Sequence, residues 1–146
     1  MVRSGGELPV IDRTKPKITF ILPCLALGKR DGLEKPPTEV TAFLNVAEDV
    51  DLYPPPGKYH RIPLQDGRPI PLEKMKEAIS WIRRNISSHK VTVFCRYGKG
   101  RSASVIIAYL CSIGFDYREA LELVASQRPG IDPLPGLAQT IRMALQ

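Results

Sequence analysis

The chain has 146 residues, 43% hydrophobic and 25% charged, with 21 Lys and Arg against 15 Asp and Glu and a formal net charge of +6. That size gives one domain with one full core, and the balance is that of an ordinary globular protein rather than a disordered or fibrous one. There is no run of about 18 apolar residues to cross a membrane, no signal-peptide pattern and no internal repeat. The three cysteines and two histidines show no metal-ligand spacing.

The positive charge favours acidic or phosphorylated partners. The five tyrosines are scattered rather than interleaved with basic residues, so nucleic acid is not indicated. Residues 1–17 are polar and rich in glycine and charge, which predicts a partly ordered leader ahead of a folded domain over 18–146. Ile18–Leu22 and Ala42–Val46 read as strands, with 28–37 between them as a turn region. Tyr53-Pro54-Pro55-Pro56-Gly57 is a stiff loop, better suited to a rigid connector than to partner binding. A strand-like segment, Tyr59 to Leu64, follows. Apolar residues at 72, 75, 78, 79, 82 and 86 give an amphipathic helix over Leu72–Ile86, with Trp81 at the edge of its stripe.

Val91–Cys95 is a β-branched and aromatic strand, and Ser102–Cys111 is a helix without glycine or proline. Arg118–Gln127 makes a further helix, ended by Arg128-Pro129-Gly130, and Leu137–Leu145 a last short one. Strands alternating with helices predict an α/β domain: a central twisted, mainly parallel sheet of about four to five strands flanked by helices.

The chemistry concentrates where the last strand meets its helix, in Cys95-Arg96-Tyr97-Gly98-Lys99-Gly100-Arg101-Ser102. A loop opening a helix turns its amides, backed by the positive end of the helix dipole, toward one point, which binds an anion and acidifies a thiol placed there. Such surroundings bring a cysteine from about 8.5 to roughly 3.5 to 7.5. Gly98 and Gly100 allow positive φ and close backbone approach. Arg101 offers a planar fork of donors for two phosphate oxygens, and Arg96, Tyr97 and Lys99 complete the cradle. Ser102 is placed to donate to a departing Cys95 thiolate.

These residues carry a resemblance that extends over most of the chain, through Val40 to Val46, Tyr59 to Asp66, Tyr117 to Leu121 and Arg128-Pro129. The sequence resembles a small dual-specificity phosphatase of the cysteine-dependent protein tyrosine phosphatase superfamily. The resemblance implies that Cys95 is the nucleophile, that Arg101 binds the phosphoryl group, that an aspartate on another loop protonates the leaving oxygen, and that neither metal nor cofactor takes part. It implies a substrate that is a phosphotyrosine, phosphoserine or phosphothreonine protein. The same chemistry on a lipid, nucleotide or sugar phosphate, and a non-catalytic phosphate-binding module, are the alternatives.

Asp66 follows the Tyr59 to Leu64 strand and sits beside Gly67, on the rim where sites of open α/β sheets gather. It is the first candidate for the acid, with Asp49, Asp51 and Asp132 competing. Asp132-Pro133 resembles the acid motif of low-molecular-weight tyrosine phosphatases, but a turn or helix-cap role suits its position better. Arg96 and Lys99 either favour a polyanionic substrate or simply face solvent. A reactive thiol and an odd cysteine count suit a reducing, cytoplasmic compartment and a monomer. Cys24 is a candidate partner for a protective disulfide with Cys95, and Cys111 a core residue.

The residue before the cysteine is usually histidine in this superfamily, and here it is Phe94, which donates no hydrogen bond. Phe94→His is therefore expected to lower the pH at which Cys95 reaches half its maximal alkylation rate. Equal or higher midpoints in the variant count against this.

Overall fold

A computed structural model describes residues 17–146. The leader predicted over 1–17 thus lies outside the described residues apart from Lys17. Five strands, β1 (Ile18–Leu22), β2 (Leu25–Lys29), β3 (Val40–Ala47), β4 (Lys58–Leu64) and β5 (Lys90–Cys95), form one sheet in the order β1-β2-β5-β3-β4. Only the β1/β2 hairpin is antiparallel; β2, β5, β3 and β4 run parallel. The helices are α1 (Leu72–Asn85), α2 (Arg101–Ser112), α3 (Tyr117–Gln127) and α4 (Leu137–Ala144). This is the predicted α/β architecture, with one strand more than the sequence pattern resolved.

The extra strand is β2, whose Gly28 and Lys29 fall in the expected turn region. Its Leu25-Ala26-Leu27 core is fully buried because it pairs with β5 on one side and β1 on the other. Glycine weakens a strand in isolation. Here it is required: a Cβ on Gly28 would lie 2.9 Å from Thr92 Cγ2 of β5.

Parallel strands in the middle of a sheet are buried on both faces, and β5 is solid apolar from Val91 to Cys95 apart from Thr92. The helix α2 that follows is buried at every position from Arg101 to Leu110 and lies against β5, β2 and β3. Helix α1 packs on α2 and α4 and buries Met75, Ala78, Ile79 and Ile82 of the predicted stripe. Trp81 is not at an exposed edge. It is 5% exposed, its indole stacked on the His60 ring of β4 with centroids 5.8 Å apart. Helix α3 is started by a reciprocal capping box between Asp116 and Glu119.

The parallel topology brings the carboxyl ends of β3, β4, β5 and β2 to one rim. Chain leaving β3 reaches Asp49, chain leaving β4 reaches Asp66, and β5 ends on Cys95 itself. The turn after β3 is tied by the fully buried Asn45, whose amide donates to Val50 O (2.8 Å) and Tyr59 Oη (3.0 Å) while its carbonyl accepts from Ala47 N (2.9 Å). Among the described residues no helix is long and apolar enough to cross a membrane.

Because two backbone groups lose their partners at once, Asn45→Ala is expected to cost about 1–3 kcal/mol in urea unfolding. It should also loosen the turn that carries Asp49. An unchanged unfolding midpoint would show that water replaces the side chain without cost.

Candidate active site

Cys95 is 2% exposed, at the bottom of a cleft of about 140 Å³ lined by Asp66, Cys95, Tyr97, Lys99, Gly100, Arg101 and Asp132. Its sulfur accepts a hydrogen bond from the Gly98 amide (3.3 Å) and stands 3.1 Å from Ser102 Oγ. The loop brings Cys95 and Ser102 into contact and sets Cys95 in one cleft with Arg101.

The loop is gripped by its carbonyls. Arg96 O accepts from Arg30 N (3.4 Å), Gly98 O from Arg128 Nε (2.9 Å), Lys99 O from Asp132 N (2.7 Å) and Gly100 O from Ser104 N (2.9 Å). With three carbonyls engaged from outside the loop and that of Gly100 by the first turn of α2, the amides are left for an anion in the cleft, and the first amides of α2 join them because a helix leaves these without intrahelical partners.

Gly98 has φ +68°, and a Cβ there would come within 2.8 Å of Arg128 Nη2 and 3.0 Å of Gly28 O. Glycine is required on both counts. Gly100 differs from the sequence expectation, since its φ is −110°. Its need is space: a Cβ would sit 3.2 Å from Asp132 O and 3.5 Å from Asp66 Oδ1, in the part of the cleft between the two candidate acids.

Arg101, also 2% exposed, donates from Nη1 to Asp49 Oδ1 (2.6 Å) and to Leu64 O (3.2 Å), while its Nε has no protein partner. Removing a guanidinium from water is costly unless the charge is compensated. Asp49 compensates it, and it also takes Arg96 Nε (2.8 Å) and Nη2 on its backbone oxygen (2.8 Å). The Arg101 hydrogen bond, with a smaller contribution from Arg96, lowers the Asp49 pKa from 3.8 to about 2 against an opposing effect of burial. The salt bridge to Asp49 raises the Arg96 pKa in turn.

Asp49 entered the sequence only as a rival acid; its residue type and loop placement were legible, its bond to an arginine 52 residues away was not. Asp51 faces away from the cleft: its carbonyl accepts from Arg30 Nε (3.1 Å) and its carboxylate from Leu52 N (3.0 Å). Asp66 and Asp132 both line the cleft, and both are exposed. Arg96 is turned onto Asp49, whereas Lys99 and the 61% exposed Tyr97 stand at the cleft.

Phe94 is fully buried in β5, in register with Gly28 and Asn45. Arg128, at the end of α3, is a second buried cation behind the loop, and the sequence pattern gave it only a helix-ending role. Cys24 O accepts from Val91 N at the far end of β5, about 13 Å of strand from Cys95, so a disulfide between them needs the sheet to be dismantled. Cys111 is half-buried and packs against the core.

Residues 33–144 match the family model described as dual specificity phosphatase, catalytic domain. The mouse (Mus musculus) dual specificity protein phosphatase 15 is 28% identical over 131 residues, covering 85% of this chain and 56% of that protein. The human (Homo sapiens) dual specificity protein phosphatase 2 is 32% identical over 143 residues, covering 90% and 44%. The chain thus spans about half the length of these curated relatives. Among solved structures, Tk-PTP in its active form superposes with a TM-score of 0.77 at 25% identity, covering 89% of this chain and 97% of that one.

The depressed Asp49 carboxylate stabilises the folded site at every pH above its unfolded value of about 4, a contribution lost only as pH falls toward 2. Asp49→Asn should therefore raise KM for an aryl phosphate about tenfold through a less restrained Arg101. The acid limb of the rate profile above pH 4 should stay where it is. A limb that moves in the variant would show that Asp49 itself titrates in turnover.

Proposed function

Because the chain belongs to the dual-specificity phosphatase family, we propose that it is a cysteine-dependent phosphomonoesterase for phosphotyrosine and phosphoserine or phosphothreonine proteins. The observation that carries this reading is the Cys95 sulfur, hydrogen-bonded by the Gly98 amide and beside the Ser102 hydroxyl, on the floor of a cleft that holds Arg101 and Asp66.

The phosphate of the substrate takes the loop amides and the open Nε of Arg101, whose Nη1 stays on Asp49. The Cys95 thiolate attacks phosphorus in line, the ester P–O bond breaks, and Asp66 gives its proton to the leaving oxygen. Water then attacks the phosphocysteine, passing a proton to the Asp66 carboxylate. The P–S bond breaks, and Ser102 donates to the sulfur as it leaves with the electron pair.

The rim favours phosphoproteins over the alternatives. Arg96 is committed to Asp49, so Lys99 is left as the exposed loop cation at the cleft, a thin basis for holding a polyanionic headgroup. Asp66, Tyr97 and Asp132 are exposed and form a low wall, open to short phosphoserine as well as long phosphotyrosine side chains. A thiolate nucleophile must stay reduced, and the three free cysteines fit a monomeric enzyme of the reducing cytoplasm.

Hydrolysis of an aryl phosphate is expected to vanish in Cys95→Ser and to be insensitive to a chelator. Asp66→Asn should slow esters with poor leaving groups about 100-fold or more, with a much smaller effect of Asp132→Asn. The reverse order would move the acid to Asp132, and no turnover by wild type would leave a binding module. Release of phosphate from phosphoinositides at rates above those from phosphopeptides would overturn the substrate assignment.

A further inference from the structure

Arg128 is 4% exposed and joins three parts of the molecule. From the end of α3 its Nε donates to Gly98 O (2.9 Å) in the loop, its Nη1 donates to Thr19 Oγ1 (2.9 Å) on β1, and its Nη2 lies against the Gly98 α-carbon, 2.8 Å from where a Cβ would stand. Gly98 is the residue whose amide donates to Cys95 Sγ. Arg128 is not among the residues lining the cleft. Its hydrogen-bonded link to the reacting sulfur runs through Gly98.

We propose that Arg128 is a positioning residue for the phosphate-ester chemistry, clamping Gly98 so that its amide bears on the Cys95 sulfur and supplying from behind the loop a buried positive charge that favours the thiolate. This deepens the phosphatase reading and rests on it. Phe94 gives no side-chain donor in β5, and the Gly98 carbonyl is held from the end of α3.

Other charged and titratable groups among the described residues also stand around Cys95. Arg101 comes from α2 with its charge balanced by Asp49, Arg96 is paired with the same carboxylate, Lys99 and Tyr97 stand on the solvent side of the loop, and Asp66 and Asp132 face the sulfur across the cleft. Arg128 adds a cation on the protein side of the loop. Burial lowers its pKa, an effect that the neighbouring Cys95 opposes.

The test measures iodoacetamide alkylation of Cys95 against pH, together with kcat and KM on an aryl phosphate, in folded protein verified by thermal melting. Arg128→Gln should raise the alkylation midpoint by about one pH unit and lower kcat about tenfold near pH 6, with KM little changed. Arg128→Lys, which keeps the charge but not the fork, should restore most of the midpoint and only part of kcat. An unshifted midpoint in folded Arg128→Gln overturns the proposal.

If Arg128→Gln does not fold, Arg128→Lys and Thr19→Val carry the decision. Lowered kcat at constant KM supports the clamp, and wild-type kcat in both variants overturns it. Alkylation requires no turnover, so a shifted midpoint in a protein that hydrolyses no phosphate ester would keep the clamp and remove the phosphatase reading. An active enzyme with an unshifted midpoint in Arg128→Gln would do the opposite.

Discussion

A loop that binds an anion through its amides cannot use those amides to hold itself in place. Seven residues from Cys95 to Arg101 must therefore be fixed from their other side, and the surrounding elements do this one carbonyl at a time: Arg30 for Arg96, Arg128 for Gly98, Asp132 for Lys99, Ser104 for Gly100. The four grips come from the segment after β2, from the end of α3, from the loop before α4 and from α2. The loop is accordingly a product of the whole fold. Displacing any one of those elements turns an amide away from the site, which is why the parallel sheet and its packed helices have to be complete before the cradle exists.

The same constraint shapes the electrostatics. Amides and a helix start already make the cleft positive, and Arg101 adds a full charge at 2% exposure. Left alone, such a guanidinium would cost several kcal/mol to bury. Asp49 resolves this with one carboxylate that serves Arg101 and Arg96 together, occupying Nη1 and leaving Nε without a protein partner. Arg101 is thereby held in one orientation, which under the proposed function leaves little side-chain entropy to be lost when phosphate binds. The half-exposed Asp49 carboxylate also stays partly hydrated, which softens the cost of the pair.

What was legible in the sequence is what local chemistry dictates. Strand β5, the glycine-bearing loop and the apolar helix α2 follow from residue type and period alone, and with them Cys95, Arg101 and Ser102 fall into place. Strand β2 was not legible, because Gly28 and Lys29 read as turn; only pairing on both sides makes them strand. Trp81 looked peripheral by helical spacing, but the neighbouring strand supplies His60 to stack on it. The roles of Asp49 and Arg128 lie in contacts 52 and 30 residues away in sequence, which no periodicity encodes. Gly100 shows a subtler gap: its residue type was read correctly, while the reason is room beside Asp66 and Asp132 rather than backbone angle.

The replacement of a polar residue by Phe94 then gains a structural context. Position 94 lies inside the sheet, between Gly28 of β2 and Asn45 of β3, where phenylalanine is fully buried. An imidazole there would reach the loop from beneath but would need its own hydrogen bonds in a fully buried layer. With phenylalanine the strand contributes packing, and polar control of the loop passes to residues that enter from its sides and back. Orientation of the Gly98 amide, which donates to the Cys95 sulfur, then depends on what grips the Gly98 carbonyl. Packing and positioning are thus carried by different elements, so position 94 can be apolar while the Cys95 sulfur at the strand's end remains in a polar setting.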